Sequence, residues 1–466
     1  MAVQAARAAA PRALSLKTGT TLGLLFDYDW DAAAHARVAA EAGLAFDRAG
    51  FDLFTFPSNA RLVSFDLERF TAAQARRARR RGWAGVLSHH DQFGALAAAL
   101  VAEKSGLPGV RPEAVIACQH KLHARRLLQR ACPEATPWFT ELDAHYGEPI
   151  PGGLAYPCFV KPVKAAFSVL ARRVESHAAL TQHTRFGRRE LWVIRRLVEP
   201  FERVVRNRVP EAGSAHCLML EEPVCAAQFN LDGWVQAGEL HVLGFVDSLM
   251  YPGTQAFMRF ESPSALPPSA REHAASVARR FLAAAGFDHG FFNMEFFFDS
   301  RSQRLTVIEF NSRLASQFGD LYRRVLGRDP HAMALALACG DDPLAAPACS
   351  PAAGAAASFV YRAFTAQSVP AMPTPAQRVA LQTEFPDALL FVMPKSGRAL
   401  ERDFKWLGSH RYGILHLGGR DAHDLRKRCE HASALLGWPA PYAEDAASFS
   451  NAESRSVPEF SQGARP

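Results

Sequence analysis

Apolar positions recur along this chain at two spacings, every second residue in some segments and about every 3.6 residues in others. TLGLLFDYD (21–29) reads as a strand, and DAAAHARVAAEAG (31–43) as a helix ending at glycine. FDLFTF (51–56) reads as a second strand, followed by a helix over 66–82. WAGVLS (83–88) reads as a third strand, with a helix over 91–106 behind it. Repeated strand–helix units predict a parallel sheet covered by helices. Asp27, Asp29 and Ser88 to Asp91 fall at strand ends, where ligands of such sheets sit. His89, His90 and Asp91 read either as metal ligands or as a helix start capped by Asp91, and capping is the simpler reading. No GxGxxG follows the first strand, so a dinucleotide site is not indicated.

Beyond Pro108 and Pro112 a helix is predicted over 112–130, carrying Lys121, and a polar, proline-rich stretch fills 133–153. PCFVKP is a short strand, KAAFS (164–168) a compact loop, and VLARRV the returning strand. Backbone N–H groups in such a loop can cover phosphate oxygens, although GxxxxGK[ST] is absent. HCLMLEEPV runs as a strand into an acidic connector. AQFNLDGWVQ and ELHVLGFVDS pair around Ala237 and Gly238. A proline- and glycine-punctuated crossing (251–268) leads to a helix over 271–286. Later candidates are a helix over 329–340, strands SFVYRAF, ALLFVM and RYGILHLGG, and a last helix over 421–437.

FFNMEFFFDSRSQRLTVIEFNSR (291–313) is the most constrained stretch. As two strands, it places Phe292, Met294, Phe296 and Phe298 on one face and Asn293 and Glu295 on the other. In its second strand Ile308 and Phe310 are expected to share a face, opposite Glu309 and Asn311. Carboxylates within apolar strands need a partner. A hard cation with oxygen ligands supplies one, and so would a buried polar network or a wetted edge strand.

Length and composition narrow the class. A chain of 466 residues suggests several structural units, and 48% apolar residues fit a globular protein. No run of about 18 apolar residues occurs, so neither a membrane span nor a membrane partner is expected. The net charge of +7 comes from arginines scattered among acids; the run RRARRRG (76–82) reads as a solvated helix face, and no nucleic-acid partner is expected. Only eight lysines occur, and Lys121, Lys161 and Lys164 are three of them, in apolar settings. The eight cysteines form no CxxC pair, which predicts a reducing, cytoplasmic location. Residues 1–18 and 439–466 read as a loose leader and a flexible tail.

Four motifs in order then carry a resemblance. HKLHARRLL, FVKPVKAAFSV, LEEPV and the pair NMEF with IEFNSR resemble those of ATP-grasp enzymes, of the carboxylate–amine ligase type related to biotin carboxylase and L-amino-acid ligases. The resemblance spans roughly 20–438. It implies an α/β ATP-grasp fold, with an N-terminal parallel-sheet pre-ATP-grasp domain (19–110) and two α+β lobes enclosing the nucleotide. The ATP-grasp domain would cover 111–350, its smaller nucleotide lobe about 155–225. Residues 351–438 would complete the large lobe or form a small α/β appendage.

By the same resemblance Lys121 and Lys161 contact the nucleotide, and the loop through Ser168 covers phosphate. Glu221 and Glu222 lie by the adenine amino group, Val224 offers its backbone N–H to the ring, and Gln228 stands at the ribose. Glu295, Glu309 and Asn311 hold Mg2+, or Mn2+ in its place. Arg313, with Lys161, serves catalysis by gripping the carboxylate or acyl phosphate. Three positions depart from the pattern: the loop lacks the usual glycines, Gln228 replaces a common glutamate, and Ser312 stands where proline is common. The implied reaction is ATP-dependent joining of a small-molecule carboxylate to an amine through an acyl phosphate, releasing ADP and phosphate. Activation of bicarbonate or another small acid is the alternative, as is a non-catalytic ATP-binding regulator. A homodimer is the commonest symmetric assembly for such a chain.

Overall fold

A computed structural model of the protein describes residues 18–52, 61–62, 64–145, 148–165 and 170–442. The N-terminal layer comprises β1 (Thr21–Leu25), α1 (Asp29–Ala42), β2 (Ala45–Ala49), α2 (Leu67–Arg81), β3 (Gly85–Leu87) and α3 (Gly94–Ser105). Its parallel sheet has the order β2-β1-β3. Then come α4 (Pro112–Gln119) and α5 (Lys121–Ala131). A four-stranded antiparallel sheet follows, built from β4 (Phe139–His145), β5 (Cys158–Pro162), β6 (Arg172–Val174) and, after α6 (His177–His183) and α7 (Arg188–Arg208), β7 (Cys217–Glu221). Its order is β4-β7-β5-β6.

The remaining elements form one large antiparallel sheet and its helices. They are β8 (Ala227–Gln236), β9 (Glu239–Met250), β10 (Phe257–Ser262), α8 (Pro268–Ala284), β11 (Gly290–Asp299), β12 (Arg304–Asn311), α9 (Gly319–Leu326), α10 (Pro330–Ala338), β13 (Ala355–Ala363), α11 (Pro375–Glu384), β14 (Leu389–Val392), α12 (Gly397–Leu407), β15 (His410–Gly419) and α13 (Ala422–Leu436). The eight strands run β12-β11-β8-β9-β10-β13-β15-β14, so residues from 355 onward extend the same sheet.

One face of β11 makes the central core. Phe292, Met294 and Phe296 are fully buried, packed with Phe298, Leu305, Val307 and Phe310 beneath α4, α5 and α8. Phe281 of α8 stacks on Phe310 at 3.9 Å between ring centroids. A second cluster joins Leu22 and Leu24 of β1 to Trp234, Phe291 and α10, all of whose residues are buried. This contact locks the N-terminal layer against the large sheet.

Several expectations need correction. The second strand is Ala45–Ala49 rather than 51–56; residues 53–60 lie outside the described set. AFDRA is an edge strand hydrogen-bonded on one side only, so its sequence carries little apolar alternation. The helix expected over 112–130 is two helices broken at His120, whose ring accepts the His123 N–H as an N-cap. The break lets the Lys121 N–H donate to the Val163 carbonyl at 3.0 Å. The stretch 133–153 contains β4, and the crossing 251–268 contains β10. The long helix α7 escaped notice because Pro200 interrupts it and arginines crowd its surface. Its Phe201, Val204 and Val205 nevertheless pack into the N-terminal core. Of the stretch expected to be loose from 439, Tyr442 packs against Phe359 and lies under Arg259, and residues 443–466 lie outside the described residues.

Truncating Phe296 to alanine should cost about 3–5 kcal/mol in urea unfolding, because the β11 rings cannot close over the lost volume. Val379→Ala, at a position 65% exposed, should stay within about 0.5 kcal/mol of wild type. Equal effects of the two would contradict the placement of the core.

Candidate nucleotide and metal site

The other face of β11 and β12 is polar. Asn293 pairs in register with Asp232 of β8 and Asn311 of β12, and Glu295 with Asn230 and Glu309. A β-bulge follows Glu295, where Phe296 pairs with Val307, so Ile308 is the extra residue. This corrects the expectation that Ile308 shares the core face with Phe310: Val307 takes that place in the core. The displaced Ile308 backbone carbonyl instead accepts from Arg125 Nη2 at 2.6 Å and Lys161 Nζ at 3.5 Å.

The polar face is a connected network. Asn311 Nδ2 donates to Asn293 Oδ1 at 3.1 Å and to Glu295 Oε1 at 3.3 Å. Asn293 donates onward to Asn230 and Asp232, and Tyr322 donates to Asp232 at 2.7 Å. Gln228, expected near the ribose, donates from Nε2 to Glu295 Oε2 at 3.0 Å. Burial and the facing Glu309 push the Glu295 carboxyl well above the usual carboxylate range. Burial also works against the Glu309 carboxylate, but the Lys121 ammonium outweighs it and holds the group below that range. Two facing carboxyls with opposite shifts and an amide oxygen beside them form a hard-oxygen donor set suited to Mg2+.

Cations face this set from α5 and the four-stranded sheet. Lys121 Nζ lies 2.6 Å from Glu309 Oε2. Lys161, at the end of β5, lies 2.7 Å from Glu221 Oε2, and Arg125 Nε lies 2.6 Å from Glu221 Oε1. Burial, with Arg125 and Lys121 nearby, lowers Lys161 to about 8 although Glu221 opposes this. A narrow cleft lies here, lined by Lys121, Arg125, Lys161, Ile308 and Glu309 among others.

The structure thus gathers Lys121, Lys161, Glu221, Gln228, Glu295, Glu309 and Asn311. Arg313 lies just beyond β12, with a bidentate pair to Asp91 whose Nε–Oδ1 distance is 2.5 Å. Asp91 is therefore not a helix cap; α3 starts at Gly94 with no side-chain cap bond. Glu222 and Val224 belong to the connector after β7. Glu222 pairs with Arg304, its N–H donates to the Trp138 carbonyl, and Val224 is half-buried. Ser168 lies outside the described residues. Arg259 of β10 is paired with Glu261 at 2.5 Å.

Sequence reasoning missed Arg125 and could not give Asp91 and Lys164 their partners. Arg125 follows Lys121 by one helical turn, and that spacing was a usable signal. Asp91 meets Arg313 only through the fold. Lys164 donates to Gln119 Oε1 at 2.9 Å and to the Asp91 carbonyl at 3.0 Å. Burial and Lys121 lower Lys164 to about 7.

The architecture has recognisable counterparts. L-amino acid ligase from Bacillus licheniformis superposes with a TM-score of 0.61 at 15% identity, over 90% of this chain and 98% of that one. N5-carboxyaminoimidazole ribonucleotide synthetase from Thermus thermophilus gives 0.60 at 16% identity, over 91% and 100%. The chain has the ATP-grasp fold. A third ATP-grasp neighbour is the biotin carboxylase domain of 2-oxoglutarate carboxylase from Hydrogenobacter thermophilus, in complex with MgADP, ADP and bicarbonate. It gives 0.57 at 14% identity, over 89% of each chain. No protein-family model and no curated protein matches the sequence. Among the described residues no helix is long and apolar enough to cross a membrane.

Lys164 gives a test of this electrostatic layout. A lysine whose pKa is lower folded than unfolded binds fewer protons in the folded state across that window. Its contribution to stability therefore rises between about pH 7 and about pH 10.5. The thermal midpoint of wild type minus that of Lys164→Met should grow as pH is raised through this window, as read by scanning calorimetry. A difference independent of pH would rule out the depressed lysine.

Proposed function

We propose that the protein is an ATP-dependent carboxylate–amine ligase that forms an amide or peptide bond and releases ADP and phosphate. The observation that carries this reading is the gathering of Lys121, Lys161 and Glu309 in one cleft, with Glu295 paired to Glu309 and Asn311 hydrogen-bonded to Glu295. Three cationic groups already neutralise acids there: Lys121 at Glu309, and Lys161 and Arg125 at Glu221. A polyphosphate with its cation can exchange into such pairs without leaving buried charge uncompensated. Lys121 and Lys161 would hold the phosphates, and Glu295, Glu309 and Asn311 would hold Mg2+, or Mn2+ in its place. When bound, the ion neutralises charge on the transferring phosphoryl group.

The chain's own residues then have distinct tasks. Gln228 and Asn311 orient the Glu295 carboxylate. Arg125 holds Glu221 while contacting the bulged Ile308 carbonyl, tying the small sheet to β12. The connector with Glu222 and Val224 offers backbone groups to the adenine, and the loop through Ser168 closes over phosphate. Arg313 presents a planar fork to the substrate carboxylate, with Asp91 as the partner it exchanges. A carboxylate oxygen attacks the γ-phosphorus, and the bond to ADP breaks to leave an acyl phosphate. The amine attacks the carbonyl carbon, loses a proton, and inorganic phosphate departs. Bicarbonate as the activated acid is a second reading, favoured by the anion bound in the Hydrogenobacter neighbour. Eight free cysteines support a reducing, cytoplasmic setting.

The test is ADP and phosphate release with Mg-ATP against pools of amino acids and small carboxylates. ADP release requiring both an acid and an amine is the expected result. Glu309→Ala and Asn311→Ala should each lower turnover by about 100-fold or more, with unchanged far-UV circular dichroism. Undiminished turnover in both variants would refute the metal assignment. ATP binding without ADP release in any pool would favour the regulator.

A further inference from the structure

A second cluster of metal-binding side chains lies in the interior, and its chemistry differs from that of the cleft. Asp31 of α1, His89 just after β3 and His331 of α10 bring one ligand atom each to within 4.8 Å of one another. All three are buried, and so is His35, one helical turn after Asp31. The ring centroids of His35, His89 and His331 form a near-equilateral triangle, with sides of 5.8, 5.6 and 5.5 Å.

Ordinary packing leaves this arrangement without an explanation. Both ring nitrogens of His35 and Nε2 of His89 are buried with no hydrogen-bond partner. Buried polar atoms normally have one. A ring nitrogen with no other partner is free to bind a cation.

The distances match a coordination sphere. Nitrogen and oxygen donors at about 2.0–2.1 Å from a tetrahedral ion stand about 3.3 Å apart, with imidazole centroids about 5 Å apart. His331 Nε2 and Asp31 Oδ1 are separated by 3.1 Å. Outer carboxylates stand behind two of the rings. Asp329 Oδ1 lies 3.9 Å from His331 Nδ1, and Asp27 Oδ2 lies 3.8 Å from His35 Nδ1. Asp329 is itself held by Arg37 at 2.6 Å. Carboxylates that hydrogen-bond such a nitrogen orient metal-bound histidines, and these two stand just outside that reach. Gly319 leaves the space for this geometry, since a Cβ there would stand 2.5 Å from His331 Cε1.

We propose that Asp31, His89 and His331, with the His35 ring packed against them, form a buried structural site for a divalent transition-metal ion, for which Zn2+ is the fitting species. Nitrogen-rich donors select ions of this class, whereas the all-oxygen set of Glu295, Glu309 and Asn311 selects Mg2+. The ion would pin α1 and α10 to the loop after β3. That loop carries Asp91, the clamp on Arg313. The site does not depend on the nucleotide reading.

The experiment is elemental analysis of the full-length protein purified without chelator, then removal of metal and titration with Co2+ followed by visible absorption. One equivalent of Zn2+ per chain is expected. The Co2+ form should show tetrahedral d–d bands and no thiolate charge-transfer band. His89→Gln and His331→Gln should each lose the bound ion, while Glu309→Gln retains it. The wild-type spectrum decides the matter even if the histidine variants fail to fold. Wild type that takes up no stoichiometric transition metal would overturn the proposal. So would a thiolate band, which would move the ion to cysteines, or full occupancy in both histidine variants.

Discussion

The β11–β12 hairpin must satisfy opposite demands on its two sides, and the rest of the chain is arranged around that constraint. One side carries rings that require a dry core, supplied by α4, α5 and α8. The other carries two glutamates and two asparagines that cannot be buried unpaired. Their partners come from outside the hairpin. Lys121 reaches Glu309, while Asn230, Asp232 and Gln228 of β8 complete the amide and carboxylate ladder. The fold is thus organised by charge compensation across a cleft as much as by aromatic packing.

The bulge at Ile308 links these two demands. It keeps Val307 and Phe310 in the core while turning one backbone carbonyl toward Arg125 and Lys161. Arg125, Glu221 and Lys161 form a buried triad, and removing one member of such a group leaves an uncompensated charge, a cost of about 3–5 kcal/mol. The small sheet is therefore coupled to the large one through polar contacts that a charged ligand could exchange.

Behind the cleft, the N-terminal layer contributes more than a support. Asp91 and the carbonyl beside it engage Arg313 and Lys164, so the loop after β3 fixes two cations at once. The buried histidines beside that loop lie between α1 and α10, where the parallel sheet meets the large sheet. Loop placement and cleft electrostatics are thus one mechanical unit.

Much of this was legible from residue order. Strict alternation in FFNMEFFF fixed which residues of β11 face the core, and the glycines at 43, 82, 106 and 437 marked helix ends, where each adopts a left-handed conformation. The four spaced motifs carried the ATP-grasp resemblance, and the fold agrees with it. What residue order could not give was partnership between segments far apart in the chain. Asp91 read as a helix cap because local capping is the commonest use of such a residue, yet Arg313, 222 positions away, claims it. His89 reads in sequence with its neighbours His90 and Asp91, and nothing there ties it to His35 or His331; the three meet only where three elements converge. The bulge at Ile308 likewise depends on the register against β11, which alternation within one strand does not specify. Local periodicity sets faces and ends; long-range pairing of charges and rings is settled only when burial makes an unpaired group too costly to leave alone.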